Sequence, residues 1–116
     1  MTGRTLLEEK KIEETIDAIA QDSFTVLDFI GAFSVLFPEG WARLVGRFGQ
    51  LGEKRRYTVT TYLSNRLDLY SQKPSSLLRP LTRYSKDRSV DYRRTTKEER
   101  QHFGSPWIAV FKKKGD

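Results

Sequence analysis

The segment from Phe24 to Phe37 constrains the fold more than any other part of the chain, because it is the most apolar run and it ends at a proline. Val26, Ile30, Phe33 and Phe37 recur at helical spacing, and Leu27, Phe29 and Leu36 widen the same face. Thr25 stands where an N-cap belongs, with Asp28 at the third helical position to return the bond, and Phe24 is placed to clamp on Phe29. Pro38 halts the helix, since its ring and missing amide break the ladder one turn back. The spacing therefore predicts a central core helix that the other elements must cover.

A second helix is expected straight after it. Proline suits a first turn and Glu39 favours the positive end of the helix dipole, so Pro38-Glu-Gly-Trp41 reads as a start. Trp41, Leu44, Val45 and Phe48 make its buried face, and Gly49 is a terminator. Upstream, Thr5-Leu-Leu-Glu8 has the form of a capping box for a helix reaching Gln21. Its apolar stripe of Ile12, Ile16, Ile19 and Ala20 is narrow, which predicts packing on the domain's edge or against a second copy.

The stretch Lys54 to Gln72 carries the functional expectation. Tyr57 to Tyr62 alternates like a strand, but the helical spacing runs on through Leu67 and Tyr70, so the segment is expected to be a helix over about 57–71. Val59, Leu63, Leu67 and Tyr70 fall on one side, with Tyr62 and Leu69 flanking them. Thr60, Thr61, Ser64, Asn65 and Asp68 lie opposite. Three cations, Lys54, Arg55 and Arg56, precede this helix. Short polar side chains with cations at the start suit a major groove, where Thr, Ser and Asn read base edges and Lys and Arg hold phosphates. Arg66 lands on the apolar side, where its stem is expected to cover apolar surface while its head reaches water or an acid.

Beyond Gln72, Lys73 to Ser76 reads as a turn, Leu77 to Tyr84 as an extended edge containing Pro80, Ser85 to Ser89 as a polar loop, and Val90 to Thr95 as a second extended piece. Thr96-Lys-Glu-Glu99 opens a short helix that Gly104 can end, and Pro106 to Lys112 closes the chain as an inner strand apolar on both faces. The order predicts an α+β domain of 1–116, with an N-terminal helical extension (1–22), a helical core (24–72) and a C-terminal sheet region (73–116).

Charge divides along the chain. Residues 1–50 hold five Lys/Arg against eight Asp/Glu, and residues 51–116 hold sixteen against seven, within a net charge of +6. A basic second half implies a polyanionic partner. Without cysteine and with one histidine, His102, the chain has no zinc site, thiol nucleophile or catalytic triad, so no enzyme, cofactor or metal is expected. Adjacent carboxylates such as Glu8/Glu9 do not face one another on a helix. Charges come early and no membrane-length apolar run follows, so a cytoplasmic protein is expected. The Lys112 to Lys114 tail could touch phosphates or serve solubility.

Three helices, the last with a polar outer face, followed by a basic extended region, resemble winged helix-turn-helix domains. The resemblance covers roughly 24–112 and rests on element order, on Trp41-x-x-Leu-x-x-x-Phe-Gly49 and on Arg56-Tyr-Thr-Val-Thr-Thr-Tyr-Leu63. It implies a small DNA-binding transcriptional regulator, DNA being favoured over RNA. Thr58, Thr61, Tyr62 and Asn65 would then contact bases, and a wing from Arg79 to Arg94, with Arg83, Lys86, Arg88 and Arg93, would lie on the backbone. The connector from Gly49 to Tyr57 is longer than a compact helix-turn-helix uses, and the Thr96 helix interrupts the wing. Winged domains also serve as protein-interaction modules, here through the first helix and the aromatics Tyr57, Tyr62 and Tyr70, so that alternative stands beside DNA binding.

Overall fold

Local capping decides where most of the helices begin. In the computed structural model, which describes residues 7–48, 58–81, 91–103 and 107–114, helix α1 spans Glu9–Ala18, α2 Val26–Leu36, α3 Pro38–Phe48, α4 Val59–Ser71 and α5 Lys97–Phe103. Thr25 and Asp28 form the expected capping box of α2, with the Asp28 amide donating to Thr25 Oγ1 at 3.3 Å and the Thr25 amide to Asp28 Oδ2 at 2.9 Å. Thr96 and Glu99 do the same for α5, at 3.1 and 2.9 Å. Pro38 separates α2 from α3, as expected. The expected Thr5 cap, the Gly49 and Gly104 stops and the Ser85 to Ser89 loop lie outside the described residues.

The first helix is shorter than 5–21 and is no peripheral extension. Ile12, Ile16 and Ile19 are buried together with Leu7, Phe29, Phe33, Leu63 and Leu67 in one core, so the stripe offered to a second copy is consumed inside the chain. The sequence could not show this, because a narrow stripe looks alike whether its partner is the same chain or another. At Ile19 the backbone turns extended, which carries Ser23–Phe24 into a short strand, β1, rather than straight into a helix. The Phe24 ring packs on Phe111 with centroids 5.8 Å apart.

The C-terminal segment organises the extended structure. Tyr92–Arg94 (β2) pairs antiparallel with Trp107–Ala109 (β3), with α5 in the connection. Phe111–Lys112 (β4) pairs antiparallel with β1, and Leu78 bridges Lys113. The Val110 amide donates to Asp91 O, Arg79 to Lys112 O and Lys114 to Leu77 O, each at 2.8 to 2.9 Å. One C-terminal run thus collects three partners from distant parts of the chain, but in place of the expected single inner strand it is split at Val110 into β3 and β4, which belong to separate two-stranded sheets. Ile108, Ala109 and Phe111 are buried accordingly.

The tail lysines are structural. Lys112 Nζ reaches Asp91 Oδ1 at 3.2 Å, Lys113 Nζ donates to the Ile19 carbonyl, and Lys114 Nζ to the Pro74 carbonyl at 3.0 Å. Each fastens the last strand to a different element.

Candidate nucleic-acid interface

Helix α4 is held on most of its circumference. Thr58 caps it, accepting from the Thr61 amide at 3.5 Å, and Val59, Leu63, Leu67 and Tyr70 are buried as the spacing requires. The Tyr70 hydroxyl donates to Glu13 Oε2 of α1 at 2.7 Å and accepts from the Leu77 amide at 2.9 Å. Burial, and the nearby Glu13 and Glu9 carboxylates, push its pKa far above the ordinary tyrosine value. Arg66 reaches the segment leading into α1: Nη2 donates to the Leu7 carbonyl at 2.8 Å, a backbone oxygen.

The polar side of α4 is only partly open, which corrects the expected uncharged face. Ser71 Oγ accepts from the Leu81 amide at 3.1 Å and Gln72 Nε2 donates to the Leu81 carbonyl at 2.9 Å, so the chain after the helix folds back over that side. Thr60 and Asp68 are buried, and Ser64 is half-buried. What faces solvent is a stripe of Asn65, Leu69 and Gln72, edged by half-buried Thr58, Thr61 and Tyr62. Leu69, expected to flank the core, is 57% exposed. The stripe is rotated from the expected face, and at its C-terminal end Leu81 holds the Ser71 edge of the polar side.

Tyr62 cannot offer its ring freely to a base. It stacks on Phe48 of α3, centroids 4.4 Å apart and planes 20° from parallel. The stack joins α3 to α4 and brings a cation with it: the Arg47 guanidinium lies over the Phe48 ring, 5.1 Å from its centroid. Arg43, one turn earlier on α3, is exposed like Arg47. These two arginines were not among the sequence candidates, since they sit in the acidic half of the chain. Their spacing of four on the polar side of an amphipathic helix was the available signal.

A second basic group surrounds β2. Arg93 forms a bidentate pair with Glu99, at 2.8 and 2.7 Å, so the expected phosphate contact is already engaged. The Arg93 bond, aided by the Thr96 amide, holds the Glu99 carboxyl well below the usual range, at about 2. Asp28 at the start of α2 is close enough to act on Arg93 too. Arg94 is exposed, with its guanidinium over the Trp107 ring at 5.2 Å, and Lys97 and Arg100 of α5 are exposed. Arg79 is exposed beside the strand pairing at Lys112.

No family model, curated protein or solved structure matches the chain. The site is therefore defined by its own geometry. Of the sequence candidates, Thr58, Thr61, Tyr62 and Asn65 lie on the first half of α4, while Arg79, Arg93 and Arg94 belong to the extended region. Lys54, Arg55, Arg56, Arg83, Lys86 and Arg88 lie outside the described residues, as do Tyr57 and the His102 side chain. Tyr70 is buried and offers no surface to a partner. Among the described residues no group of three acidic, histidine or cysteine side chains comes together to hold a metal, and no helix is long and apolar enough to cross a membrane.

Proposed function

We propose that the chain is a non-enzymatic DNA-binding protein, a small cytoplasmic regulator of winged helix-turn-helix type. The open stripe of α4 reads bases in the major groove, and Arg43 and Arg47 of α3 hold the flanking phosphates. The observation that carries this reading is the Arg47–Phe48–Tyr62 stack, which links an exposed cation of α3 to the ring of Tyr62, the sequence neighbour of Thr61 on α4. That is the division of labour a DNA reader needs: fixed charges for the backbone and short hydrogen-bonding side chains for base edges. Lys54, Arg55 and Arg56 precede Thr58 in sequence and are further phosphate-contact candidates. Arg79, Arg94, Lys97 and Arg100 supply a second, backbone-directed contact.

The test is a fluorescence-anisotropy titration on a site selected from random DNA and on its scrambled version, across a salt series. Asn65→Ala should cost ~1–3 kcal/mol on the selected site and little on the scrambled one. Arg47→Ala should weaken both alike and lower the salt slope by about one. Wild-type protein with no salt-dependent affinity for DNA ends the reading.

A second reading has its own observation. Val35 and Leu36 at the end of α2 are 79% and 44% exposed, which is the chemistry of a protein contact. In that case Val35→Glu abolishes binding of a protein partner and leaves DNA affinity untouched.

A further inference from the structure

Leu69 is an apolar side chain on a stripe otherwise made of hydrogen-bonding groups. It stands one turn beyond Asn65 on the same side of α4, 57% exposed, while the helix buries Val59, Leu63, Leu67 and Tyr70 elsewhere. Helix propensity does not call for it, because Lys, Glu or Gln would serve as well at an open position. Resting on the DNA reading above, we infer that Leu69 is a specificity-determining residue that recognises the 5-methyl group of a thymine.

The chemistry follows from what a major groove offers. Its floor presents donors and acceptors on every base pair, and the thymine methyl is the apolar group among them. A leucine brought against that methyl loses water on both sides, whereas against cytosine or uracil it meets no such group. Asn65, with an amide that matches adenine N6 and N7, supplies the neighbouring contact. Four residues of helix advance about 6 Å, which is roughly two base-pair steps at 3.4 Å. The preferred site therefore holds an adenine and a thymine about two steps apart, the first set by Asn65 and the second by Leu69.

The experiment compares the selected DNA site with versions in which single thymines are replaced by deoxyuridine, which removes only the methyl. Wild-type protein should lose affinity about fourfold at one thymine near the adenine contact, the effect of one methyl-sized group. Leu69→Ala, checked by circular dichroism to be folded, should bind the thymine and uracil versions equally. If wild-type protein binds the site with the expected salt dependence but ignores every replacement, or if Leu69→Ala keeps the uracil penalty, the inference is overturned while the DNA reading stands. If wild-type protein shows no affinity for DNA, both are overturned.

Discussion

Tyr70→Phe removes a single oxygen from the junction of three segments, and its cost can be worked from the geometry. The hydroxyl donates to the Glu13 carboxylate of α1 and accepts from the Leu77 amide, in a residue only 2% exposed. A hydrogen bond to a charged group contributes ~1.5–3 kcal/mol and an orphaned buried donor costs ~1–3 kcal/mol. Glu13 is half-buried and regains water, so the two do not add in full. The net loss is about 2 kcal/mol, equivalent to a fall in Tm of roughly 10 °C for a chain of this size. Urea denaturation followed by tryptophan fluorescence measures it, and the double variant with Glu13→Ala should show a coupling of ~1 kcal/mol. The same network sets a pH dependence. Because the folded phenol keeps its proton at pH values where the unfolded one, near 10, has lost it, wild-type stability should decline as pH rises past about 10. Tyr70→Phe should lack that component. A variant within 0.5 kcal/mol of wild type, with an unchanged alkaline profile, would refute the argument that α1 is locked to α4 through this hydroxyl.

Ile16→Glu should unfold the protein or cost more than ~3 kcal/mol in a denaturant titration, because Ile16 is buried in the shared core and the new charge would have no partner there. Glu99→Gln should flatten the acid limb of the stability curve: the lowered carboxyl stabilises the fold above about pH 4.3, and that contribution is lost as pH falls toward about 2. Its size should stay under ~1 kcal/mol, since Arg93 and Glu99 are partly solvated. Deleting residues 111–116 should abolish cooperative folding by circular dichroism, as β1 and Leu78 would lose their pairing partner.

What was legible in the sequence was local. The Thr25/Asp28 and Thr96/Glu99 boxes join residues three apart, and α2 and α3 announce themselves by apolar spacing on either side of Pro38. Strand β1 is two residues long, too short to show an alternation. The partners of Arg66, Lys113 and Lys114 are backbone carbonyls far along the chain, and a carbonyl leaves no mark in a sequence. The candidate site was legible in part for the same reason. Periodicity identified the buried side of α4, but which edge of its polar side stayed open depended on tertiary contacts such as those of Leu81 with Ser71 and Gln72. Arg47 became a candidate only through the Phe48–Tyr62 stack, a tertiary contact.

The most direct test of the DNA-binding account is a two-dimensional amide NMR titration of the protein with its selected DNA duplex. The account expects the largest shift changes at Arg43, Arg47, Thr61, Asn65 and Leu69, with a second group at Arg94, Lys97 and Arg100. Changes centred on Val35 and Leu36 with none on α4, or no change at saturating DNA, would contradict it.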